Sequence, residues 1–163
     1  MCNVAHGKAR LGSVPAPGAD RAPVAAALQP RREPLLEKDN VEDHGLDFYQ
    51  GVIVNGGRLI YLAGQVANTP DGGAVARVGD WRRQAEQVYA NIGHVLRAAG
   101  ATPASAVKET TWVLDIESWR QHGTAVRRAF YQDDYPASTL VEIQGLARPE
   151  FLVEIEVIAA VAR

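Results

Sequence analysis

The chain reads as an α+β domain: one mixed β-sheet with two helices on one of its faces. Three observations predict this. Residues 81–99 and 119–130 carry apolar side chains at steps of three and four, the period of an amphipathic helix. Shorter stretches rich in Val, Ile, Thr and aromatic residues either alternate apolar with polar or run apolar throughout, the patterns of half-buried and buried strands. The order is β-β-(β)-α-β-α-β-β, and two helices can cover only one face of the sheet such an order makes.

The chain opens with a segment of different character. Residues 1–40 hold six Lys/Arg against four Asp/Glu, the prolines 15, 17, 23, 30 and 34, and no Phe, Trp or Tyr. Such a segment buries too little apolar surface to offset the entropy of ordering. It is read as a flexible arm, with the domain spanning 41–163. Residues 49–54 are expected as a strand, Asn55-Gly56-Gly57 as a tight turn, and residues 59–63 as a second strand completing a hairpin. The turn cluster Thr69-Pro70-Asp71-Gly72-Gly73 and a short strand over 74–77 follow.

Asp80 stands where a helix N-cap belongs. Trp81, Ala85, Val88, Tyr89, Ile92, Val95, Leu96 and Ala99 then trace one helical face, and Gly100 ends it. Val107, Glu109, Thr111 and Val113 alternate with Lys108, Thr110, Trp112 and Leu114, which predicts a strand. Residues 115–118 are read as a turn. Trp119, Gly123, Val126 and Phe130 mark the inner face of a second helix, ended before Pro136 because the residue preceding proline avoids the α region. Strands over 139–144 and 151–160, joined by a loop at 145–150, close the domain. The sheet face without helices still needs a cover, and closed symmetric self-association supplies one economically.

Composition narrows the function. The 163 residues carry a net charge of −2 and 47% hydrophobic side chains, a soluble globular profile. Cys2 is the only cysteine, so no disulfide framework forms within the chain, consistent with a reducing, cytoplasmic location. No apolar run reaches the length of about 18 residues that spans a bilayer, and no basic-then-apolar leader opens the chain. The acidic balance argues against nucleic acid as the partner, since phosphate binding calls for a basic face. His6, His44, His94 and His122 are scattered without zinc-ligand spacing, and no phosphate loop or nucleophile elbow is present.

Several segments, in order, resemble a known family. They are Gln50-Gly51, Ala63-Gly64-Gln65, Ala98-Ala99-Gly100, Val107-Lys108-Glu109-Thr110-Thr111-Trp112-Val113-Leu114-Asp115, Tyr135-Pro136-Ala137-Ser138 and Val153-Glu154-Ile155-Glu156-Val157-Ile158-Ala159. Over residues 46–163 the chain resembles the RidA/YjgF superfamily. The resemblance implies a chorismate-mutase-like fold and a homotrimer with pockets between adjacent subunits. It also implies hydrolysis of small reactive enamines and imines to keto acids and ammonia, with no metal and no organic cofactor.

The resemblance also nominates site residues. Glu154 matches a glutamate held to position water or move a proton. Leu152, Glu154, Glu156 and Ile158 share one strand face, and a half-buried carboxylate there is a candidate general acid/base. Ser138 stands after Pro136-Ala137, where the deaminases of this family carry an arginine that clamps the substrate carboxylate. A serine hydroxyl lacks the charge and the planar fork that suit such a clamp. With Thr139 it is expected to hydrogen-bond a different substrate. Phe48 matches a pocket aromatic, usually tyrosine. Gly64 and Gln65 match a backbone segment lining the pocket, and a glycine in a strand often marks close approach to a ligand. Trp112 is a candidate pocket wall, with plain packing the simpler alternative. Thr124 falls near a substrate-contacting asparagine of relatives. Arg82-Arg83 and Arg127-Arg128 read as solvated helix faces, with one of them a candidate replacement for the missing positive charge.

The reading is therefore an enzyme processing a small enamine or imine with altered specificity. The competing readings are a non-catalytic trimer that binds a metabolite or another protein and, more weakly, a ribonuclease.

Overall fold

A computed structural model describes residues 38–41, 47–69 and 78–162, with side chains from residue 47 onward. Six strands and three helices make it up. The strands are β1 (Lys38–Val41), β2 (Gly51–Val54), β3 (Arg58–Tyr61), β4 (Ala106–Val113), β5 (Ala137–Glu142) and β6 (Val153–Val161). The helices are α1 (Trp81–Ala98), α2 (Ile116–His122) and α3 (Thr124–Tyr131). A four-stranded sheet has the order β3-β6-β4-β5. β4 and β5 run parallel, while β6 is antiparallel to both β3 and β4. The sheet is mixed, as expected. Among the described residues no helix is long and apolar enough to cross a membrane.

α1 forms where the sequence places it. Asp80 accepts a hydrogen bond from the Arg83 backbone amide at 3.0 Å, satisfying one of the orphan donors of the first turn. Gly100 takes φ of +76°, a left-handed conformation that favours glycine. The apolar stripe of the helix, with Ala85, Val88, Ile92 and Leu96 fully buried, lies on Val153, Ile155, Val157 and Ala159 of β6 and Val113 of β4. Each fully buried Ile, Leu or Val contributes about 1.5–3 kcal/mol relative to exposure. The polar Gln84 interrupts this buried side. Gln84 donates to the Glu150 carbonyl at 2.8 Å and accepts from the Leu152 amide at 3.0 Å, so it anchors the loop entering β6.

Among the described residues the opposite sheet face is uncovered. Lys108, Thr110 and Trp112 of β4 lie there with Glu154, Glu156 and Ile158 of β6, all part-exposed, in phase with the alternating buried residues. Tyr61, paired with Ile158, is 71% exposed. β5 is exposed over Thr139, Leu140, Val141 and Glu142.

Four expectations need correction. Residues 49–54 and 59–63 do not pair as a hairpin: β2 pairs with β1 and β3 with β6. Gly56 and Gly57 both have positive φ, so the turn forms, but it hands the chain from a separate two-stranded ribbon to the main sheet. Residues 115–118 are not a free turn, because Asp115 caps α2 by accepting from the Ser118 amide at 2.6 Å. The second helix is two. A β-carbon on Gly123 would overlap the Trp119 indole, which folds back over the junction of α2 and α3. Its buried line is also shifted. The buried residues are Trp119, Gly123, Arg127 and Tyr131, spaced by four, while Val126 and Phe130 are only part-buried. The expected strand over 74–77 and residues 1–37 of the expected arm lie outside the described residues. Lys38–Asn40, at the arm's end, are in β1.

Candidate active site

The candidate residues fall into two groups on opposite sides of the sheet. The first is on the open face. Trp112 and Glu154 are cross-strand partners on β4 and β6, so their side chains emerge side by side. They line a shallow cleft of about 440 Å³ with Ile143, Gly145, Leu146 and Ala147 of the loop between β5 and β6. Gly64 lies against Glu154. A β-carbon there would overlap Glu154 Oε1 and stand 2.9 Å from the carboxyl carbon. Glycine at 64 is therefore the space in which the carboxylate sits. Gln65 exchanges backbone hydrogen bonds with Ile155 at 2.8 and 3.0 Å, fixing this approach. Its side chain turns back to the Ala63 carbonyl, so Gln65 contributes backbone rather than an amide to the cleft.

Asn91 holds this segment from below, donating to the carbonyls of Val66 and Asn68, both at 3.0 Å. Sequence reasoning missed it and the cleft loop. A signal existed: Asn91 is seven residues after Gln84, two helical turns on, along one flank of the buried stripe of α1. Each of the two amides ties down a loop beside β6.

The second group is on the helix side. Ser138 pairs with Glu109 across β5 and β4, and paired residues share a face. Ser138 therefore faces the helix layer, whereas Thr139 pairs with Thr110 on the open face and accepts a hydrogen bond from Lys108 Nζ. Burial lowers the Lys108 ammonium below its ordinary value, partly offset by the Glu109 carboxylate. Half-buried Phe48 lies next to Tyr49, which bridges to Ala137 in parallel fashion, beside Ser138. Thr124, at the start of α3, donates to the Trp119 carbonyl at 3.5 Å and serves the helix junction.

Beneath Ser138 is a polar cluster that the sequence reading missed. Glu109 is fully buried. It accepts from Arg127 Nε at 2.6 Å, Tyr131 at 2.7 Å, Tyr89 at 3.2 Å and Thr111 at 3.3 Å. Arg127 is thus a buried ion-pair partner and not a solvated residue. Its guanidinium carbon is 5.3 Å from the Tyr131 ring centroid and 5.4 Å from that of Tyr135. Burial works against the Arg127 charge, but Glu109 together with Tyr89 and Tyr131 outweighs it and the pKa is raised. Burial first, then Glu109, pushes the Tyr89 and Tyr131 hydroxyls well above the ordinary tyrosine value. The signal was the glutamate in phase with Val107, Thr111 and Val113 on a strand face that had to be core.

Arg128, one position on, is exposed and pairs with the Asp47 carboxylate. Arg82 and Arg83, on the solvent side of α1, pair with Glu86.

With this geometry in place, the chain can be set beside known proteins. Residues 46–161 match the family model for endoribonuclease L-PSP, whose members are the RidA/YjgF proteins. A Lactococcus lactis protein bearing the regulator name AldR is 36% identical over 115 residues, spanning 70% of this chain and 86% of its own length. The 2-iminobutanoate/2-iminopropanoate deaminase of Bos taurus is 32% identical over 112 residues, 69% of this chain and 78% of that protein. Among solved structures, the Rid-family protein YyfB of Yersinia pestis superposes with a TM-score of 0.70 at 33% identity, covering 76% of this chain and 98% of that one. The order of elements, the mixed sheet with helices on one face and these matches lead to one conclusion: the chain belongs to the RidA/YjgF family.

Proposed function

We propose that the chain hydrolyses a small imine or enamine in a site completed between copies of itself, with Glu154 as the proton-handling group. One observation carries this. Glu154 lies in the open cleft against Gly64 and Trp112, and no described side chain pairs with it. A part-exposed carboxylate without a counter-charge is available to take a proton from water. Water adds to the C=N carbon as Glu154 accepts its proton. The proton then passes to nitrogen, and the carbinolamine collapses to a carbonyl and ammonia. The naming of the bovine relative as an imine deaminase supports the reaction class.

The opposite-face geometry supports the shared site. Ser138 faces the helix layer and Glu154 the open face, so one chain cannot present both to one small molecule. A second copy can. The bare face with Tyr61, Trp112 and Ile158, and the exposed strand β5, suit burial in a closed ring, read here as a homotrimer. Ser138 brings no charge, and the nearest buried cation, Arg127, is already neutralised by Glu109. The substrate favoured is therefore one without a carboxylate, hydrogen-bonded by Ser138 and walled by Phe48, with Thr139 on the Glu154 side of the shared site.

The test is turnover of imines generated in solution, one carboxylated and one neutral, by wild type and Glu154→Gln. Turnover of the neutral imine that Glu154→Gln abolishes is the expected result. Equal or better turnover of 2-iminopropionate defeats the altered specificity. Tight binding without turnover of either imine favours the non-catalytic reading, which the regulator name of the Lactococcus relative also suits.

A further inference from the structure

We infer that Arg127 is a positioning residue for the Phe48–Ser138 half of the site. This rests on the proposed function for its catalytic meaning but not for its geometry. The segments that build that half converge on one guanidinium. Nε binds Glu109 of β4, the residue paired with Ser138. Nη1 donates to the Asp47 carbonyl, immediately before Phe48. The guanidinium lies near the rings of both Tyr131 and Tyr135, and Tyr135 leads through Pro136-Ala137 into Ser138.

The segment at 47–49 joins the sheet at the bridge of Tyr49 to Ala137. β2, which follows it, belongs to the separate ribbon. Arg128 adds a second tie through the Asp47 carboxylate, but that pair is exposed and contributes little. The tie from Arg127 is the less exposed of the two. A guanidinium can hold a carboxylate and a carbonyl at once because its donors are fixed in a planar fork, which an ammonium lacks. Arg127 is itself immobilised, since Glu109 is held by Tyr89, Tyr131 and Thr111 as well. The family position that loses its arginine at Ser138 is thus underlain by an arginine that shapes the pocket without touching substrate.

The experiment compares wild type, Arg127→Lys and the double variant Arg127→Met/Glu109→Gln. The double variant avoids orphaning the buried carboxylate and keeps an acceptor for the tyrosine hydroxyls. Two readouts apply: steady-state kinetics on the imine that wild type turns over, and amide hydrogen exchange by segment. In the double variant we expect KM to rise about tenfold, as for one lost charge-assisted hydrogen bond, with kcat nearly unchanged. Exchange should quicken at residues 48–50 while β4 and β6 keep their protection. Arg127→Lys, retaining the pair with Glu109 but not the fork, should fall between. A folded double variant with wild-type KM and exchange overturns the inference. So does a uniform rise in exchange across the sheet. If the double variant does not fold, Arg127→Lys decides alone, and wild-type behaviour in it overturns the inference. If wild type turns over no imine, the proposed function fails and exchange at 48–50 still judges Arg127.

Discussion

Two carboxylates in this protein have opposite fates. Glu109 is fully buried, with a cation and three hydroxyl donors around it. Glu154 is part-exposed and unpaired among the described residues, in a cleft with Trp112. They lie on neighbouring strands but point to opposite faces. A buried charge must be paired and hydrogen-bonded or it costs several kcal/mol, so Glu109 is committed to structure. A carboxylate left unpaired at a surface cleft contributes little to stability and stays free to react. Comparing the two separates residues that hold the fold from residues available for chemistry.

The sharpest way to break the comparison is at Glu154. Glu154→Gln should lower kcat by about 10²–10⁴, the usual contribution of a general acid/base, with the denaturation midpoint almost unmoved. A comparable loss of stability would place Glu154 with Glu109 as a structural group. The mirror experiment is Glu109→Ala. It leaves Arg127 buried without its partner and should cost about 3–5 kcal/mol in chemical denaturation, whereas Arg127→Met/Glu109→Gln should cost much less. Gly64→Ala comes next. Its methyl group occupies the Glu154 carboxylate position, so turnover should drop about 10–100-fold through misplacement, with a small stability change. Unchanged kinetics would show that the carboxylate works from another rotamer.

The smallest effect is one of pH. Tyr89 and Tyr131 hold their protons in the folded chain to pH well above their ordinary value near 10. Above about pH 10 the unfolded chain therefore binds fewer protons than the folded one. Stability is full below that pH and falls as pH rises towards the folded pKa values. Tyr131→Phe should cost about 1 kcal/mol at neutral pH and flatten the alkaline slope in thermal melts. An unchanged slope would dissociate the tyrosines from the cluster.

The sequence carried much of the fold because periodicity is a local property. α1, β3, β4, β5 and β6 were legible, since a stripe or an alternation marks which side of each element is buried. Strand partners were less legible. A glycine turn between two apolar runs predicts a hairpin, but β2 found β1 and β3 found β6, a choice made by long-range competition. The second helix misled for a related reason. Val126 and Phe130 are more apolar than Arg127 and Tyr131, yet the latter two are buried, because Glu109 across the layer pairs with one and accepts a hydrogen bond from the other.

The candidate site divides the same way. The resemblance of short ordered motifs named Glu154, Gly64, Trp112 and Ser138, and the structure gathers the first three around one cleft. It sets Ser138 and Thr139 on opposite faces although they are neighbours in sequence, as the period-two geometry of a strand requires. Gln65 offers backbone and Thr124 serves a helix junction.

By itself, then, the sequence determined the layer class and the family, because residue type and spacing carry those directly. Only the tertiary structure decided that Arg127 is buried against Glu109, that Asn91 and Gln84 tie the loops beside β6, and that Glu109 is spent while Glu154 is unpaired among the described residues. Each depends on which face meets which. Facing is fixed when sheet and helices close around a shared core, not by any single segment of the chain.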